Sequence, residues 1–323
     1  MRLLAECSYV GAFFMGWQRQ SMGERTIQSD IEQVLERMYK TPVGIIGAGR
    51  TDTLVSARQQ FFHFDPPFAI PLHGLLRGMN TLLPWDIRIH AVREVPGNFH
   101  ARKSALSKTY VYRLQMGGVL SPFDAWTVHL YPGKLNVPRM RRCAALFAGE
   151  HDFRPFTVQP EAYHSTVRSV DGVRITQKDG RLTFAVTAQG FMRHMVRRIV
   201  GTLVEVGRGA MTTEEVRDLL STKINSDCPY FKDGDGTSQN GDSPSQNGDS
   251  PSFHFALSDL PREKGTVPIQ EKGTVPLAAK AGPPIHAAGL MLEKVVYPPF
   301  SLPKGDSPSF RSIRQGDSPL PVR

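Results

Sequence analysis

Two short apolar runs, 43–46 and 61–64, bracket a stretch that reads Gly47-Ala48-Gly49-Arg50-Thr51-Asp52-Thr53-Leu54-Val55-Ser56-Ala57. Short runs rich in β-branched and aromatic residues read as strands. The chain must therefore turn a corner that holds two glycines, an arginine and a carboxylate. Such a corner places Asp52 at the rigid end of a strand, and glycine lets backbone approach a ligand closely. Taken alone, the stretch admits three readings. It can be an ordinary turn with a solvated Asp. As a dinucleotide loop it fails Gly-x-Gly-x-x-Gly, because Asp52 takes the sixth place, where a carboxylate repels pyrophosphate. As an aspartic-protease corner it needs a second carboxylate loop to share the proton, and no matching Asp-Thr/Ser-Gly occurs elsewhere.

Elements that could hold this corner follow from periodicity. Residues 1–9 alternate as a strand, and a loop with Gly16 to Gln20 follows. Thr26 can cap a helix whose apolar positions Ile27, Ile31, Val34, Leu35 and Met38 recur at helical spacing. Pro71 starts a short helix through Leu72, Leu75, Leu76 and Met79, and residues 87–95 return as a strand. Residues 1–104 therefore predict β-α-β-β-α-β, a ferredoxin-like order.

A second half covers 105–224 plus 285–300. It opens with strands over 109–114 and 125–131, then a helix over 138–147 whose arginines Arg139, Arg141 and Arg142 read as a solvated face. Strands 167–176 and 181–188 flank Asp179-Gly180, a hairpin turn. A helix over 191–206 carries Met192, Met195, Val196, Ile199 and Leu203 as its core stripe, with Arg193 and Arg197 four apart on another face. Thr212-x-x-Glu215 forms a capping box for one more helix, and 289–297 alternates like a final core strand.

Between these parts the composition changes. Asn-Gly-Asp-Ser-Pro occurs at 240–244 and 247–251, and Glu-Lys-Gly-Thr-Val-Pro at 263–268 and 271–276. Segments so polar cannot bury enough apolar surface to offset chain entropy, so 225–284 predicts a disordered insertion and 301–323 a disordered tail. The charge balance, 39 Lys and Arg against 30 Asp and Glu, favours a polyanionic partner, nucleic acid above all. Three cysteines without Cys-x-x-Cys spacing point to a reduced, cytoplasmic compartment rather than a disulfide framework or zinc knuckle. Glu6 interrupts any signal-peptide core, and no apolar run is long enough to span a bilayer, so no membrane partner is expected. The ten histidines lack metal-site spacing, so no metal is expected.

Four collinear blocks carry a family resemblance. Gly47-Ala-Gly-Arg-Thr-Asp52 resembles the catalytic loop of the TruA family of tRNA pseudouridine synthases. Gly16-Trp17-Gln18-Arg19-Gln20 is similar to the family's N-terminal signature, and Phe191-Met-Arg-His194-Met-Val-Arg197-Arg-Ile-Val-Gly201 to its C-terminal one. Phe99-His100-Ala101-Arg102 and Lys108-Thr-Tyr110-Val-Tyr112 fill the space between. The resemblance implies an α+β pseudouridine synthase fold: two ferredoxin-like halves share a mainly antiparallel sheet around a central RNA-binding cleft. It implies isomerisation of uridine to pseudouridine in the anticodon stem-loop of tRNA, by a homodimer, with no cofactor.

The same resemblance implies roles. Asp52 is the nucleophile or base. Arg197 is its cationic partner, since a partly desolvated carboxylate stays ionised only beside a cation. Tyr110 packs against the target uracil and assists proton transfer at C5. Arg50 helps to flip the nucleotide and fill the gap it leaves. Leu290, with Leu292, closes the pocket wall. Trp17, Arg19, Gln20 and Arg102 face RNA, with Arg193 as a further RNA contact. The sequence departs from the family after Asp52: Leu54 and Gln59 stand where the family has glycines, and Ser56 where it has a histidine. A lost glycine at φ > 0 implies strain. This altered loop is the sole support for an alternative, a non-catalytic tRNA-binding or tRNA-folding protein of the same fold.

Overall fold

The computed structural model describes residues 1–21, 23–221 and 281–299, and the backbone of Ile313 and Arg314. The insertion expected over 225–284 lies outside the described residues as far as 280. The tail expected over 301–323 does too, apart from those two positions.

In the first half, β1 (Arg2–Tyr9) leads through a loop to α1 (Ile27–Tyr39). Thr26 caps α1 through its hydroxyl, which accepts from the Ser29 N–H at 3.2 Å; this orders the start of the helix as the sequence suggests. The short β2 (Ile46–Gly47) and the long β3 (Ser56–Phe64) flank the Asp52 corner. Next come α2 (Leu72–Leu82) and β4 (Ile87–Val95). β1 lies between β3 and β4, antiparallel to both, and β2 pairs with β3. This is the ferredoxin-like arrangement.

In the second half, β5 (Ser107–Met116) is followed by β6 (His129–Tyr131), α3 (Val137–Ala144) and β7 (Gly149–Asp152). The hairpin of β8 (Val167–Lys178) and β9 (Arg181–Ala188) then leads to α4 (Met195–Arg208) and α5 (Thr213–Ser221). The last core strand, β10 (Leu290–Val296), pairs antiparallel with β5 and parallel with β3. One sheet results, in the order β4-β1-β3-β10-β5-β9-β8-β7, with a two-residue β11 (Ile313–Arg314) on β4. It is mostly antiparallel, as expected, and β10 is the seam between the halves.

Three element boundaries differ from the sequence reading. The strand expected over 125–131 is reduced to β6, because the amides of Thr127 and Val128 both donate to the Asp124 carbonyl at 2.9 Å and are spent in a turn. The helix expected over 138–147 is α3, capped by Asn136, followed by a tighter 3₁₀ turn over Ala145–Phe147. The helix expected from 191 starts at Met195, since His194 sits at φ 60 in the left-handed region and breaks the helical run. Arg193 therefore precedes α4, and the expected i, i+4 relation with Arg197 on one helix is lost.

The chain re-enters the described structure at Ala281, already packed on α4. The Gly282 N–H donates to the Thr202 hydroxyl at 2.8 Å, and the Ile285 N–H to the Arg197 carbonyl at 3.2 Å. At Gly201 a Cβ would lie 1.9 Å from the Pro283 carbonyl oxygen, so only glycine permits this contact. Gly201→Ala should lower unfolding stability by about 1–3 kcal/mol, measured by denaturant titration. Acid should act elsewhere. His63 is buried against the first-half core, and its Nδ1 accepts the Ala101 N–H at 3.1 Å. Burial, aided by Arg2 and His100, lowers its pKa from the ordinary 6.5 to about 4. The unfolded chain therefore binds a proton that the folded chain rejects, so stability present above pH 6.5 is lost as pH falls toward 4. The denaturation midpoint should drop over that window, and a flat profile would count against a neutral buried His63.

Candidate active site

The corner that carries Asp52 is braced by its own strand and by the loop after β1. Buried Gln60 on β3 donates Nε2 to the Gly49 carbonyl at 2.9 Å. The Trp17 N–H donates to the Thr51 carbonyl at 3.0 Å, and the buried hydroxyls of Tyr9 and Thr51 are 2.9 Å apart. The Gly11 N–H donates to Ser56 Oγ at 3.0 Å, so the serine found in place of the family histidine has a local role. Gly16, at φ +88, brings its backbone against Thr51; a Cβ there would lie 2.8 Å from the Thr51 oxygen.

The two glycines of the motif do different work. A Cβ at Gly47 would collide with the Trp17 indole at 2.7 Å, so this glycine serves packing rather than ligand approach. Trp17 is 2% exposed, its ring tilted against Tyr9 and Phe62; the expectation that it faces RNA is corrected, because the indole is core. Gly49 instead opens toward the Tyr110 hydroxyl, 3.7 Å from where its Cβ would be.

Asp52, half-buried, meets α4. Arg197 Nη1 lies 3.8 Å from Asp52 Oδ2, and His194 Nε2 lies 3.4 Å from the same oxygen. Arg197 is aimed by its Nε, which donates to the Ile285 carbonyl at 2.8 Å. Burial pushes its pKa down from the arginine range, while Asp52 and Tyr112 oppose that shift. His194 was not singled out in the sequence reading, and helical spacing does not mark it, because it precedes α4 in the left-handed region. Burial lowers its pKa, with Asp52 opposing and Arg197, Arg193 and Arg198 adding to the fall. Its Nδ1 is buried without a hydrogen-bond partner among the described residues. A second proton there would gain no acceptor, so burial and geometry both favour the neutral ring. Two charges about 4 Å apart attract by roughly 4 kcal/mol at an effective dielectric of about 20. Arg197 is the stronger partner.

Tyr110, on β5, is buried and stacks edge-on against Phe191 at 5.2 Å. Burial and the nearby Asp52 charge push its phenol upward, so it is neutral near pH 7. Leu292 pairs with Tyr110 across the β5–β10 ladder and Leu290 with Tyr112, and both leucines are buried. Arg50 is exposed, and because β2 ends at Gly47 the strand alternation that would align it with Asp52 does not apply. Arg19 is held by Glu32 at 2.5 Å, Gln20 donates to the Met15 carbonyl at 2.9 Å, and Arg193 Nη1 bonds Gln159 at 2.9 Å. Arg102 lies exposed in the β4–β5 connection. No group of three or more His, Cys, Asp or Glu side chains among the described residues is placed to hold a metal.

Of the two replaced glycines, Leu54 adopts φ 69, a left-handed conformation, whereas Gln59 lies within β3 at ordinary strand geometry. Gln59 accepts the Val295 N–H at 3.3 Å and donates to Glu6 at 3.1 Å. The strain anticipated for a lost glycine is present at Leu54 and absent at Gln59. Tyr9→Phe should strand the Thr51 hydroxyl beside the corner and cost about 1–3 kcal/mol in denaturant titration. Adding Thr51→Val should recover most of that loss, because both polar partners are then gone.

A family profile described as tRNA pseudouridine synthase matches residues 143–233 of the chain. Over 236 residues, 73% of this chain, it is 36% identical to tRNA pseudouridine synthase A of Staphylococcus aureus strain Newman, covering 88% of that protein. The proteins of the same name from strains JH1 and N315 match with the same identity and coverage. The profile covers α4, and the relatives are 36% identical over most of the chain, so the chain belongs to the tRNA pseudouridine synthase A family.

Proposed function

We propose that this chain isomerises uridine to pseudouridine in the anticodon stem-loop of tRNA, with Asp52 as nucleophile or base. The reaction breaks the bond from C1′ to N1, turns the uracil and joins C1′ to C5. The C5 hydrogen leaves as a proton and N1 gains one, so the step is redox-neutral and loses no other group. The observation that carries the reading is the Asp52 carboxylate, set between a half-buried arginine and a neutral histidine beside the buried phenol of Tyr110.

In this reading Arg197 supplies the positive charge that faces the Asp52 carboxylate, and His194 lies against the same oxygen. Tyr110 packs against the uracil and, as a neutral phenol, assists proton transfer at C5. Leu290 and Leu292 form the wall behind it. Exposed Arg50 enters the space left by the flipped nucleotide. Arg19 and Arg193 exchange their present protein partners for phosphate, while Gln20 and Arg102 add polar contacts along the strand. Two copies assemble as a cytoplasmic homodimer, with the tRNA body spanning both. The membership and the intact Asp52, Arg197 and Tyr110 favour an enzyme over a binding protein.

The test is tritium release from tRNA labelled at C5 of uridine, which reports chemistry rather than binding. Wild-type protein should release tritium, and Asp52→Asn should fall at least about a thousandfold while still binding tRNA. A wild-type protein that binds tRNA and releases nothing would overturn the reading.

A further inference from the structure

Strand alternation places Lys108, Tyr110 and Tyr112 on one face of β5, with Lys108 roughly 7 Å along the strand from Tyr110. The Lys108 residue is 7% exposed. Its ammonium makes no hydrogen bond or ion pair with any described residue, yet the nitrogen is not among the fully occluded unpaired atoms. The stem is buried and the charged tip is not wholly occluded.

The surroundings are cationic. The charged neighbour that acts on Lys108 is Arg102, from the β4–β5 connection. Burial first, and Arg102 second, lower the lysine pKa to about 8. The same connection carries Lys103; burial lowers the His100 pKa, and Arg102, Lys103 and Arg2 add to the fall. No carboxylate is among the charges that act on Lys108. Asp65 is bound by Arg2 at 2.6 Å, and Glu293 on β10 is shared by Arg58 and Arg113 at 3.4 and 3.3 Å. A nearly buried ammonium beside a second cation, with no acid opposite, is costly unless an anion completes it.

We propose that Lys108 and Arg102 form a phosphate site, which grips a phosphodiester of the RNA strand next to the nucleotide held at Tyr110. This deepens the reading of the chain as a tRNA-acting enzyme and rests on it for the identity of the polyanion. RNA fits because its phosphates recur along the strand, so one can be held here while the neighbouring base enters the pocket. A lysine that merely packs its stem against the core would leave the electrostatics of binding untouched.

The experiment is tRNA affinity at pH 7 across a salt series, for wild type, Lys108→Met, Lys108→Arg and Arg102→Ala. Each phosphate released from protein contact should reduce the slope of log K against log salt by about 0.7–0.9. Lys108→Met and Arg102→Ala should each show that loss with weaker binding at low salt, and Lys108→Arg should restore the wild-type slope. Arg102 is exposed, so its variant keeps the test valid if Lys108→Met fails to fold. An unchanged slope in a folded Lys108→Met, or in Arg102→Ala, overturns the site. Tritium release by wild type in the same preparation separates the two questions. Release with unchanged slopes removes the phosphate site and leaves the synthase. A slope loss without release keeps the site and removes the enzyme reading.

Discussion

β10 is the constraint on which the rest of the structure depends. Its backbone is hydrogen-bonded on one side to β5 and on the other, in parallel, to β3. Strands of two separate ferredoxin-like halves thereby become one sheet, and the corner after β2 is brought opposite helix α4. The residues that lead into β10 do a second job. Ile285 turns its carbonyl to Arg197 Nε and its N–H to the Arg197 carbonyl, so the final segment of the chain aims the arginine that faces Asp52. The Asp52 carboxylate and the guanidinium that faces it, 145 positions apart in sequence numbering (52 and 197), are thus set by a strand that arrives last.

The site is built with little charge. One carboxylate and one guanidinium face each other, while the histidine and the phenol beside them are held neutral by burial. The histidine is kept so by geometry as well as desolvation, because its second ring nitrogen has no acceptor among the described residues. Placing His194 in the left-handed region costs about 1–2 kcal/mol. That distortion ends the irregular segment and starts α4 at the register that carries Arg197 toward Asp52.

Strain also marks the corner itself. Leu54 at φ 69 bears a similar left-handed cost. Its side chain is partly buried against the core, and burying a leucine fully contributes about 1.5–3 kcal/mol, so partial burial offsets much of that strain. The corner therefore tolerates a residue where the family has glycine. The hydrogen bonds from Trp17, Tyr9, Gln60 and Gly11 hold its shape from outside the loop.

Local pattern carried a good deal of this protein into view. The helix after Thr26, the hairpin at Asp179-Gly180 and the β-α-β-β-α-β order of the first half were legible because caps, turns and apolar periodicity act over a few residues. The motif residues Asp52, Arg197 and Tyr110 were legible because the family blocks mark them. What failed were statements about facing and boundaries. Trp17 was read as RNA-facing, but it fills the space that Gly47 leaves; that contact joins positions thirty apart and has no local signature. The helix carrying Arg197 was begun too early, because a left-handed His194 is set by its neighbours and not by propensity. The sequence by itself determined which residues carry the family's blocks and, apart from their boundaries, which segments form strands and helices. Only the tertiary structure decided that His194 shares Asp52 with Arg197, that Ile285 aims that arginine and that Lys108 is buried without a counter-charge. Each of these is a long-range contact, and its energy exists only once distant strands are in register.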